Sequence, residues 1–215
     1  MTDIDFTTYV ENKKIFYEKL SGFSILPDNI SPGVKLDKLF FERMNNEFAD
    51  FFERRKTNIR INKLESSAYK SHFNSLDEKI IEIYNYKGPA IYWFKIKLEG
   101  NSSNDKIINR FSSIRNQKSG WWSKAKKVAG KQTEYLYVGK VERKLHDRFT
   151  QHMGLGHKMT SSLKLAQWFS TLENVELSFH FLKVDYEYFN YLEDIENVIW
   201  RKFNPLLGAE PRIKE

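Results

Sequence analysis

The chain has 215 residues, 40% of them hydrophobic and 15% aromatic, with 35 Lys and Arg against 28 Asp and Glu for a formal net charge of +7. That aromatic content excludes a disordered chain, and the length allows one large domain or two small ones. The absence of cysteine excludes disulfides and thiolate metal sites, while the basic excess points to a polyanionic partner, usually nucleic acid. No run approaches the ~18 apolar residues of a membrane helix, and the acidic opening "MTDIDFTTYVEN" does not read as a signal peptide. A cytoplasmic protein with no membrane partner is therefore expected.

Residues 4–20 read as a short helix, with Ile4, Tyr9, Ile15, Phe16 and Leu20 loosely periodic. "LPDNISPGVK" (26–35) then breaks the chain with two prolines and a glycine. From Leu36 to about Arg55, apolar residues at 36, 39, 40, 44, 48, 51 and 52 predict an amphipathic helix, and residues 63–84 look helical again. Residues 1–86 are thus expected to form a helical region for recognition, dimerisation or partner binding, ahead of a second domain at 87–215.

Beyond residue 86 the period changes. "PAIYWFKIKL" (89–98) and "EYLYVG" (134–139) predict two strands, the second closed by a glycine that would permit a tight turn. Between them, at about 99–132, lies a polar and basic stretch. Residues 142–153 and 160–170 predict helices and "VELSFHFLKV" (175–184) a third strand. Residues 187–203 predict a last helix, stopped at Asn204-Pro205 because a residue before proline avoids the helical region. The expected class is α+β, with a small mixed three-stranded sheet flanked by helices in the order β-β-α-α-β-α behind the helical N-terminal region.

Several residues could carry chemistry. Arg148 and His152 are four apart and share a helix face, with Leu145 and Phe149 on the buried stripe. An arginine so placed can clamp a phosphate and stabilise charge on pentavalent phosphorus, although a solvated arginine and a histidine near the helix end satisfy the same spacing. Tyr92, Tyr135 and Tyr137 lie on predicted strands, where aromatics commonly pack, yet a phenol reaching a polar cleft could orient or deprotonate water. Glu196 borders the apolar stripe of the last helix, where a carboxylate must be paired, exposed or bound to metal. Helix geometry alone does not separate it from Glu193 or Asp194.

Together these residues resemble the GIY-YIG nuclease superfamily over residues 89–208. "AIY" (90–92) stands for the first motif and "YVG" (137–139) for the second. Arg148 falls eleven positions after Tyr137, and Glu196 nine before Pro205, both as the family pattern requires. The resemblance implies that Tyr92 and Tyr137 line the cleft, that Arg148 binds the scissile phosphate, and that Glu196 holds one divalent metal, Mg²⁺ or Mn²⁺. It also implies that His152 assists phosphate binding or proton transfer and that Lys140 touches the nucleic-acid backbone. The reaction implied is metal-assisted hydrolysis of phosphodiester bonds in DNA, expected to be double-stranded, in a restriction-like or defence-related setting.

Three departures stand out. Ala90 replaces a glycine, Gly208 takes a position where the family often has asparagine, and the two tyrosine motifs lie unusually far apart. The intervening insertion carries Arg115, Lys118, Lys124, Lys126 and Lys127 around Trp121-Trp122, a pattern suited to phosphate contacts and base stacking. Two other functions remain open: a non-catalytic nucleic-acid-binding module on the same fold, and a helical interaction protein. A homodimer through the N-terminal helices is a further expectation.

Overall fold

The stretch "AIYWFKIKL" is apolar on both sides of its alternation, which suits a strand covered on both faces. In the computed structural model, which describes residues 6–56, 68, 71–73, 78–117, 123, 133–156 and 160–211, it is a central strand. The strands are β1 (Val34–Leu36), β2 (Ala90–Leu98), β3 (Tyr135–Val141) and β4 (Val175–Lys183), in spatial order β1-β4-β2-β3. Every neighbouring pair is antiparallel. The sheet is therefore four-stranded and wholly antiparallel, where a mixed three-stranded sheet was expected. The added strand lies inside the Pro/Gly break: Gly33, at φ +90°, turns the chain so that Val34 pairs with Phe179.

The helices are α1 (Phe6–Ser21), α2 (Lys38–Glu47), α3 (Ala49–Lys56), α4 (Glu78–Asn85), α5 (Asn104–Gln117), α6 (Leu145–Met153) and α7 (Leu192–Phe203). Asp37 starts α2 by accepting a hydrogen bond from the Phe40 N–H at 2.9 Å. The single helix expected over 36–55 is thus shortened at its start, because Leu36 belongs to β1, and it is interrupted at Phe48. The helix expected over 160–170 is replaced by two 3-10 turns, Leu165–Gln167 and Phe169–Thr171. Between them Trp168 leaves helical geometry at φ −150°, fully buried with its indole N–H donating to the Leu163 carbonyl at 2.9 Å. The last helix is likewise divided, a 3-10 segment over Tyr186–Tyr191 preceding α7. The polar stretch after β2 contains α5, whose buried Ile107, Phe111 and Ile114 give it an inner face.

Two apolar layers sandwich the sheet. Tyr92, Phe94 and Ile96 of β2 join Phe179 and Phe181 of β4 on one face, beneath α2, α4, α5 and α6. Ile91 and Trp93 meet Leu192, Ile195, Ile199 and Trp200 on the other, beneath α7. Val34, Leu36, Phe41, Met44, Phe48, Phe51, Ile80 and Ile83 belong to the first layer, so residues before position 86 share a core with the sheet after it. The outer edge of β3 is covered by the chain leaving α7, with the Leu206 and Leu207 N–H groups donating to the Tyr135 and Leu136 carbonyls, each at 2.9 Å. Among the described residues no helix is long and apolar enough to cross a membrane.

Candidate active site

The pairing of β2 with β3 sets Tyr92 opposite Gly139 and Phe94 opposite Tyr137. Tyr92 and Tyr137 are therefore diagonal neighbours on one face, their rings stacked with centroids 6.2 Å apart at 24°. A Cβ added at Gly139 would lie 2.5 Å from the Tyr92 hydroxyl and 2.9 Å from Tyr137 Cε1. Gly139 sits inside the strand and has no positive φ. Its role is thus to leave room for two phenols, not to permit the tight turn expected of it.

Helix α6 packs its buried Leu145, Phe149 and Met153 onto this face and ends at Gly154, at φ +107°, whose N–H is bonded back to the last turn. Arg148 and His152 project from it toward the tyrosines. His152 Nε2 lies 3.0 Å from the Tyr92 hydroxyl, and His152 Nδ1 accepts the Leu163 backbone N–H at 3.2 Å. The Arg148 guanidinium donates to Gln151 Oε1 at 2.6 Å and is partly exposed. Its pKa is raised further above its ordinary value, chiefly by the Tyr92 hydroxyl, with Tyr137 adding to the effect. Burial raises both phenols, and in each the nearby Arg148 charge works the other way. Burial also holds His152 well below its usual pKa, and Arg148 adds to that depression.

The carboxylate of the site comes from α7, whose Leu192, Ile195 and Ile199 bury its inner stripe and leave Glu193 and Glu196 partly exposed beside β3. Burial pushes Glu196 up to about 7; Lys140 opposes this, Glu193 reinforces it, and Arg148 opposes it again. The Lys140 ammonium lies 3.5 Å from Glu193, forming an ion pair at the edge of the site. Of the three acids left unresolved by helix geometry, Glu196 is the one whose charge acts on both Tyr92 and Tyr137.

Five side chains far apart in sequence thus converge: Tyr92, Tyr137, Arg148, His152 and Glu196. Lys140, partly exposed, joins them at the edge of the site through its ion pair with Glu193. Arg115 lies in the last turn of α5, and Lys118, Trp121, Trp122, Lys124, Lys126 and Lys127 lie outside the described residues. Sequence reasoning passed over Gln151 and the Leu163 main chain. Gln151 was open to discovery, being three residues from Arg148 on one helix. Leu163 was not, because it acts through its amide alone.

The donor set bears on which metal would fit. Among the described residues no three His, Asp or Glu side chains gather into a metal cage. A desolvated Glu196 beside a second carboxylate gains most from a cation, and a hard ion such as Mg²⁺ accepts one or two carboxylates completed by water and substrate phosphates. Comparison with family models, with curated proteins and with solved structures gives no match to this chain.

Proposed function

We propose that the protein is a divalent-metal-dependent endonuclease of the GIY-YIG type, hydrolysing phosphodiester bonds in double-stranded DNA. The observation that supports this reading most is the convergence, beside β3, of two strand phenols, a helix arginine and the Glu196 carboxylate, raised to about 7. Arg148 binds the scissile phosphate, because its guanidinium presents a fixed fork of donors in a partly buried setting. Tyr92 and Tyr137 hold the attacking water, whose oxygen bonds to phosphorus as the P–O ester bond breaks; the water gives up one proton to solvent, and the departing oxygen takes one up from solvent. Glu196 would hold Mg²⁺ or Mn²⁺, which when bound would polarise the phosphate and offset charge on the leaving oxygen. A restriction-like or defence-related role is part of the same proposal.

One observation favours a second reading, a nucleic-acid-binding module without catalysis. Gly208 stands where the family often supplies an asparagine, and its φ of +109°, with Tyr137 Cε2 3.1 Å from a Cβ position, makes a side chain there both strained and tightly packed. Incubating the protein with supercoiled and library DNA in Mg²⁺ or Mn²⁺, beside Arg148→Ala and Glu196→Ala, separates the two. Cutting by wild type that falls at least a hundredfold in both variants supports the nuclease. Tight binding without a cut on any DNA supports the module.

A further inference from the structure

His152 is fully buried on the inner side of α6, ringed by Tyr92, Phe94 and Tyr137, with ring centroids 5.6, 5.4 and 4.8 Å away. Both of its ring nitrogens are engaged, and the two partners differ in kind. The Leu163 partner is a backbone N–H, which can only donate, so Nδ1 must present a lone pair to it at 3.2 Å. A neutral imidazole carries one N–H, which leaves that proton on Nε2. Nε2 faces the Tyr92 oxygen at 3.0 Å, so Nε2–H donates and Tyr92 accepts.

We infer that His152 is a positioning residue, locked by the Leu163 amide in its Nε2–H tautomer, and that it sets the direction of the Tyr92 hydroxyl instead of carrying protons or phosphate. Having accepted from His152, the Tyr92 oxygen turns its own proton away from the imidazole. That directs it to the side shared with Arg148, Tyr137 and Glu196, where substrate and water would lie. Protonating Nδ1 would set two N–H groups against each other and break the Leu163 bond. The groups facing the ring oppose a second proton as well. Arg148 on the same helix repels it, Tyr92 and Tyr137 on β2 and β3 are neutral phenols, and the segment at Leu163 offers only an amide donor.

The tautomer follows from these contacts alone, whereas its bearing on catalysis rests on the proposed nuclease reading, and the tests keep the two apart. Nitrogen-15 NMR of ¹⁵N-histidine-labelled full-length protein, with His152→Gln used to assign the resonance, should show a protonated Nε2 and a bare Nδ1. That pattern should hold without titration from about pH 5 to 8. An Nδ1–H tautomer, or an imidazolium appearing in that range, overturns the inference whatever the activity. In cleavage assays, His152→Gln preserves an acceptor for Leu163 and a donor for Tyr92 but cannot shuttle a proton. It should stay within about tenfold of wild type and keep its pH profile, whereas loss of a proton carrier would cost about a hundredfold or more and remove a limb of that profile. A folded His152→Gln variant showing the latter result refutes the positioning role. Wild type that cuts no DNA counts against the nuclease reading, and the NMR result then decides the tautomer.

Discussion

Glu196 is a carboxyl that its surroundings keep protonated to about pH 7, and that position has a cost in stability. Its ordinary value is 4.5, so the folded chain binds this proton more tightly than the unfolded one does. The stabilisation is fully present below about pH 4.5 and is lost as pH rises through about 7. Glu196→Gln removes this dependence. Urea unfolding without metal should show the variant gaining about 2–3 kcal/mol relative to wild type between pH 5 and pH 8. An unchanged gap would mean that Glu196 is not desolvated. At pH 8, divalent metal should then raise the wild-type midpoint but not that of Glu196→Gln, because an ion binding only the folded form stabilises it by mass action. Gly139 makes a steric claim at the same scale. Gly139→Ala places a methyl 2.5 Å from the Tyr92 hydroxyl in a strand that cannot yield without disturbing β2, and thermal unfolding should show a loss of about 1–3 kcal/mol. A neutral result would show that the two phenols are not held where they appear.

At the scale of elements, the long periodic segments were legible and the short ones were not. The alternation of β2 and the apolar spacing of α7 identify their elements, whereas Arg148 and Glu196 stand out from neighbouring charged residues only through the resemblance to the family pattern. Strand β1 has only three residues, too few for a period of two to register, and is flanked by the very Pro32 and Gly33 that mark a break. Helix α5 is masked by Asn, Ser and Lys, since its four buried positions show only once there is a sheet to lie against. The opposite error arose at 160–170, where helical spacing yields to the burial of Trp168. Packing decides such segments, not propensity. The segment after α7 makes an element-scale prediction. Gly208→Asn restores the residue common in the family, yet it should weaken the protein. The backbone stands at φ +109° and a Cβ would press on the Tyr137 ring at 3.1 Å, so a loss of about 1–3 kcal/mol in unfolding free energy is expected, with no gain in cleavage. A more active and equally stable variant would contradict the packing of this segment on Tyr137.

Over the whole molecule, the helices before position 86 and the sheet after it are tied by shared burial. Phe41, Met44, Phe48 and Phe51 lie in the same layer as Phe94, Phe149 and Phe179, and β1 completes one edge of the sheet. A fragment of residues 87–215 should therefore lack a cooperative unfolding transition, while the full chain shows one; a sharp transition in the fragment would show that its core is self-sufficient. The sandwich also accounts for the site's composition. Two tyrosines come from the sheet, Arg148 from the helix over one face and Glu196 from the helix over the other, so the group assembles only when both layers pack on the sheet. Under the proposed function these side chains form one metal-dependent phosphodiesterase centre. Its most direct test is the conversion of supercoiled plasmid by wild type and by Glu196→Gln at pH 8 in Mg²⁺, after both are shown to be folded and to bind DNA. Nicked or linear product with wild type, absent with the variant and absent when EDTA is added, is the expected result. No product with wild type across modified and unmodified plasmids, or equal cutting by both proteins, would contradict it.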